Sequence, residues 1–166
     1  MPSVPLCKLL AGVFIWGLLS GCAGRIPPQL AEQVSWKLDL PEIRRHPEAY
    51  RGRVVALGGT VTHIDAVEDG YRVVVSEFPL DGSSRPRPAV NQLPRGMFIV
   101  MIPRHVLPSD LRLGVELTVV GEIRGMAAVP EAAGAEAPLV ESRHIQVWSP
   151  SWWPRFQLGV RGDIGI

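Results

Sequence analysis

The sequence predicts an all-β fold, a small five-stranded Greek-key barrel with one or two short helical turns, on three observations. Five segments rich in β-branched and apolar residues follow one another, separated by glycine, proline and acidic turn signals. Residues 115–124 (VELTVVGEIR) alternate, with Val115, Leu117, Val119, Gly121 and Ile123 on one face and Glu116, Thr118, Glu122 and Arg124 on the other. Val120 is the single exception. Such a period of two means one buried and one wet face, whereas a helix would scatter the same charges around its circumference. The third observation is Gly58-Gly59 inside the first segment, since glycines within a strand mark a bulge, a bend or a close backbone approach.

Each element follows in order. Asp39 as cap, Pro41 in the first turn and Glu42 soon after start a helix that Pro47 stops within one or two turns. Tyr50-Arg51-Gly52 turns the chain into a first strand, Arg53 to Ile64. Glu68-Asp69-Gly70 is a hairpin signal leading into Tyr71 to Phe78. Residues 79–94 hold four prolines and Gly82-Ser83-Ser84, which predicts a long exposed loop. Met97 to Ile102 is a continuous apolar run, read as a buried strand. Pro108-Ser109-Asp110-Leu111 starts a turn of helix that Gly114 ends. After the strand 115–124, Gly125 to Ala137 is rich in small residues and reads as a mobile loop, and Pro138 to Trp148 forms the last strand. Five strands, a long first strand bent at glycine and a helical turn between the third and fourth predict an OB-like barrel. An open antiparallel sheet is the alternative. No internal repeat is visible.

The amino-terminal residues carry a different message. Lys8 precedes an uninterrupted apolar run of eleven residues, Leu9 to Leu19. A spanning helix needs about 20 residues, whereas the apolar region of a secretory signal has about 7 to 15. Leu19-Ser20-Gly21-Cys22 at its end matches the bacterial lipobox, in which cleavage falls between Gly21 and Cys22 and the thiol of Cys22 is lipidated. An ordinary signal peptide with an incidental Cys22, or a buried amino-terminal helix, are the competing readings. Cys7 lies in the segment to be removed, so Cys22 is the one cysteine of the mature chain and no internal disulfide forms. Ala23 stands where an aspartate commonly retains bacterial lipoproteins in the inner membrane, which favours the outer membrane. Each buried lipid methylene contributes about 0.8 kcal/mol, so several chains on one residue make a stable anchor.

The expected organisation is therefore a signal peptide over 1–21, a lipidated terminus and tether over 22–38, a barrel domain over 39–148 and an aromatic, proline-containing tail over 149–166. The signal carries Lys8 and no acid, which leaves 16 basic against 16 acidic residues in the mature chain. That neutral balance gives no electrostatic footprint for a phosphate backbone, and nucleic acid is excluded as a partner.

Several of these features, in their order, resemble the Slp family of starvation-inducible outer-membrane lipoproteins. They are the lipobox at Cys22, Ile26-Pro27, Pro47-Glu48-Ala49-Tyr50-Arg51-Gly52 leading into Val55, and Gly58-Gly59-Thr60-Val61. Pro79-Leu80-Asp81, Gly96-Met97-Phe98 and the run Gly114 to Ile123 continue the likeness, which spans Cys22 to about Trp148. Residues 126–137 depart from it, with alanine and glutamate where the family pattern has aromatic residues before the last strand. The resemblance implies an outer-membrane lipoprotein linked to starvation or stress, with no established catalytic activity.

Chemistry-bearing motifs point the same way. His46, His63, His105 and His144 show no short metal-ligand spacing, although His63 and His144 stand on strands that can meet. Ser76, Ser83, Ser84 and Ser109 lack a nucleophile elbow, and no glycine-rich phosphate loop follows a strand. No catalytic residue, metal or cofactor is expected. Trp148, Trp152, Trp153 and Phe156 form a candidate interaction surface, because tryptophan is enriched at membrane interfaces and binding hot spots. The alternative is that Trp148 closes the barrel base and the others lie against its side. The expected function is non-enzymatic: envelope maintenance or starvation and stress adaptation on the periplasmic face of the outer membrane, through protein or glycan contacts. The alternative is a periplasmic small-ligand or oligosaccharide carrier that uses the barrel face beside Gly58-Gly59.

Overall fold

The computed structural model describes residues 26–87, 92–130 and 132–148. Its strands are β1 (Val54–Val67), β2 (Gly70–Glu77), β3 (Met97–Pro103), β4 (Glu116–Ala128) and β5 (Glu136–Trp148). They close into a barrel in the order β1-β2-β3-β5-β4, antiparallel throughout except where β3 runs parallel to β5. This is the strand order of an OB barrel, and closure removes the open-sheet alternative.

Alternation along the strands builds the interior. Val55, Leu57, Val61, Val73, Val75, Phe98, Val100, Ile102, Leu117, Val119, Ile123 and Val140 point inward and are all buried. The helix predicted from Asp39 forms as α2 (Leu40–Arg45), and the Asp39 carboxylate accepts the Glu42 backbone N–H at 3.1 Å. Leu40 and Ile43 on its inner side are fully buried in the same cluster as the strands. Burying each contributes about 1.5–3 kcal/mol. The helical turn between β3 and β4 is reduced to a 3-10 turn, Arg104–Val106, and residues 108–111 form only a turn closed by Leu111 N–H on the Pro108 carbonyl. Leu107 and Leu111 from that connection still pack on the core.

Gly58 and Gly59 work by close approach. Neither has a positive φ. Gly59 is paired with Glu77 on one side and Leu117 on the other, so β1 is shared between two neighbours where the sheet curls. A methyl group on Gly59 would lie 2.7 Å from the Ser76 carbonyl carbon, and one on Gly58 would lie 2.5 Å from Leu80 Cδ2.

Two segments fold differently from the sequence expectation. Residues 26–38, expected as part of a tether, lie along the barrel. A short helix α1 (Pro28–Ala31) leads to Val34, which clusters with Val54 and Val120 on the outer face, and Ser35 N–H bonds the Val54 carbonyl at 2.8 Å. That cover explains why Val120 breaks the alternation of β4: both faces of the strand are buried there. Residues 125–137, expected wholly as a mobile loop, are strand at both ends, 125–128 in β4 and 136–137 in β5, with Ala127 opposite Ala137 and Ala128 opposite Glu136. Alanine and glutamate are poor strand formers alone, but cross-strand pairing and burial override propensity. Val129 and Ala137 are buried against Val74 and Ile99 of the outer β2–β3 face.

Candidate functional site

Of the residues singled out in the sequence, Gly21, Cys22, Trp152, Trp153 and Phe156 lie outside the described residues. Trp148 ends β5 and is half-buried, its indole N–H donating to Thr118 Oγ1 at 2.9 Å with the Arg85 guanidinium 5.6 Å from the ring centroid. Arg85 is itself fixed by Glu116, at 2.9 and 3.0 Å. The loop that delivers Arg85 is tied by Asp81, whose carboxylate accepts from Ser83, the Arg85 backbone and Arg87. The Ser83 hydroxyl first, then Arg87, hold the Asp81 carboxyl well below the usual carboxylate range.

The histidines stay apart. His63 faces Val74 on β2 and bonds Asp65 Oδ1 at 2.7 Å, while Arg72 holds the other Asp65 oxygen at 3.0 Å. His144 faces Val120 on β4, which in turn faces Ala56, far back along β1 from His63. Its ring is pushed toward the neutral form by burial. Among the described residues, no three His, Cys, Asp or Glu side chains gather as a metal-binding group.

Two barrel faces are covered by the chain itself. Leu80 and Pro86 sit over Gly58, and Thr118 donates to the Ser84 carbonyl at 2.6 Å, so the face beside the glycine pair is closed by the 79–87 loop. The outer β2–β3 face lies under the β4–β5 hairpin, with Ala132 and Ala135 completing the cover begun by Val129 and Ala137. A carrier that used the face beside the glycines would first have to displace the loop.

An open groove lies elsewhere, at the junction of α1, α2 and the start of β1. Its larger cavity, about 430 Å³, is lined by Trp36, Lys37, Leu38, Glu42, Tyr50 and Arg53. Trp36 and Leu38 also line a second cavity, about 300 Å³, together with Asp39, Glu77, Asp81 and Arg95. Trp36 is 55% exposed, yet its indole N–H is satisfied internally by the Ala31 carbonyl at 3.0 Å. The ring therefore stands fixed with apolar surface bare to solvent. Tyr50, from the 3-10 turn Pro47–Tyr50, donates to Glu42 Oε1 at 3.1 Å, and that bond to a carboxylate raises its pKa and keeps it a phenol. Arg45 holds the other Glu42 oxygen. The Arg53 backbone is pinned by Tyr50 and Ile123, each at 3.0 Å. The Lys37 ammonium and the Arg53 guanidinium make no ion pair among the described residues.

Below the second cavity, Glu77 is 2% exposed and paired with Arg95, whose Nε donates at 2.9 Å, with Asp39 3.8 Å away on the outside. Sequence reasoning missed this pair and the Trp36 groove alike. Trp36 falls in a stretch without period, and Tyr50 and Arg53 read only as a turn and a strand start. The docking of residues 26–38 on β1 assembles them, and no local pattern encodes that.

Comparison with known proteins adds the family. A solved chain, Schizosaccharomyces pombe Pot1pC bound to ssDNA (CGGTTACGGT), is similar at 10% identity and a TM-score of 0.35, over 63% of this chain and 84% of that one. That degree of likeness carries no inference about what this chain binds. No curated protein matches. The model of the outer membrane lipoprotein Slp family, however, matches residues 19–157, which takes in the whole barrel and most of the chain. The chain belongs to the Slp family of outer membrane lipoproteins.

Proposed function

We propose that the chain is lipidated on Cys22 after cleavage at Gly21, held by that anchor at the periplasmic face of the outer membrane, and active there without catalysis. Its barrel serves envelope maintenance or adaptation to starvation and stress by contacting envelope proteins or glycans. The observation that carries this reading is Leu19-Ser20-Gly21-Cys22 closing an apolar run of signal-peptide length at the very start of the family match. Support comes also from the anchor arithmetic, since several acyl chains on one residue suffice without a transmembrane helix. Among the described residues no helix is long and apolar enough to cross a membrane.

The test is Cys22→Ser in cells fed a fatty-acid analogue. The parent takes up label and fractionates with the outer membrane; the variant takes up none and leaves that fraction. A variant labelled as strongly as the parent would refute the anchor.

A further inference from the structure

The groove beside Trp36 has the makings of a ligand site. One wall is a flat indole, fixed by its own N–H bond to Ala31 and 55% exposed. The same cavity is lined by Tyr50, its phenol oriented by Glu42, and by the cations Lys37 and Arg53, which make no ion pair among the described residues. The Glu42 carboxylate is engaged on both oxygens, by Tyr50 and Arg45, so the charge offered to a ligand is positive. Its volume of about 430 Å³ lies within the usual range of ligand pockets.

These features select a ligand by its chemistry. A pyranose presents an apolar C–H face that stacks on an indole, and its hydroxyls exchange hydrogen bonds with a phenol. Carboxylates or phosphates on the same polymer neutralise Lys37 and Arg53, the arginine favouring a forked pairing. A sugar unit of a longer strand fits a hollow of this size beside Trp36, where Lys37 and Arg53 also line the wall. We propose that the groove formed by Trp36, Lys37, Tyr50 and Arg53 binds an anionic glycan strand of the cell wall. This rests on the envelope-contact reading above and specifies its partner and surface.

The experiment uses the full chain solubilised in detergent and mixed with insoluble, purified cell-wall glycan, with sedimentation at low and high salt. The parent sediments, and soluble anionic glycan fragments release it. Trp36→Ala weakens retention about tenfold, the equivalent of about 1.4 kcal/mol. The double variant Lys37→Gln, Arg53→Gln weakens it to a similar degree and loses most of the salt dependence. The double variant leaves the indole wall and the core untouched, so it decides the matter if Trp36→Ala disturbs the fold. Retention unchanged in the double variant would overturn the proposal. So would no retention of the parent, or release only by anionic phospholipid added to the micelles, which would assign the groove to a lipid headgroup. None of these outcomes depends on Cys22 labelling, so a failed anchor and a failed groove are told apart.

Discussion

Adding one methyl group to each of three glycines grades how tightly the barrel holds its first strand. At Gly59 the new carbon meets backbone, 2.7 Å from the Ser76 carbonyl carbon and closer to its oxygen. Backbone cannot swing aside, so β1 and β2 must part at the Gly59–Glu77 pair. Overpacking costs about 1–3 kcal/mol, and a lost ladder hydrogen bond adds about 1 kcal/mol, so Gly59→Ala is expected to cost about 2–4 kcal/mol. At Gly58 the neighbours are side-chain ends, Leu80 Cδ2 at 2.5 Å and Pro86 Cγ at 2.8 Å, with the Leu117 carbonyl oxygen at 3.0 Å. Leucine can rotate away, so Gly58→Ala costs less, about 1–2 kcal/mol, and loosens the 79–87 loop. At Gly82 nothing lies within 4 Å, and alanine there stays within about 0.5 kcal/mol of the parent. Urea unfolding reads the series directly: at slopes of about 1–3 kcal/mol per M, a loss of about 3 kcal/mol moves the midpoint by about 1–3 M. Gly59→Ala as stable as Gly82→Ala would refute the claim that β1 is pinned between β2 and β4 at that residue.

Two further outcomes concern buried polar groups. Arg95→Ala leaves Glu77 buried without its partner and is expected to cost about 3–5 kcal/mol, whereas Glu77→Met with Arg95→Met recovers most of that loss; chemical denaturation of the three proteins checks both. Burial pushes the His144 imidazole below its ordinary value, and its Nε2 is buried with no hydrogen-bond partner among the described residues. The unfolded chain therefore takes up this proton more readily, so stability is full above pH about 6.5 and falls as the pH drops below it. His144→Leu removes that part of the slope, and unfolding midpoints at about pH 7.5 and 5.5 for parent and variant measure the difference. An unchanged slope would mean that His144 is solvated in solution.

The sequence by itself determined the barrel and the family. Period-two runs such as Val115 to Ile123, the cap at Asp39, the glycine pair and the match of Leu19 to Cys22 to a lipobox are local patterns, each read from backbone geometry or from a short segment. Tertiary structure alone decided what lies on the outside of the barrel. Val34 covers Val120, Leu80 and Pro86 cover Gly58, and Val129 and Ala137 cover Val74 and Ile99. Short apolar stretches in segments 26–38 and 125–137 carry too little period to show which face they will bury. Their structure comes from surfaces far away in sequence, and the same long-range docking brings Trp36, Tyr50 and Arg53 to one groove. Hydrophobic burial is non-directional, so composition signals that such segments can dock, but only the assembled barrel fixes where.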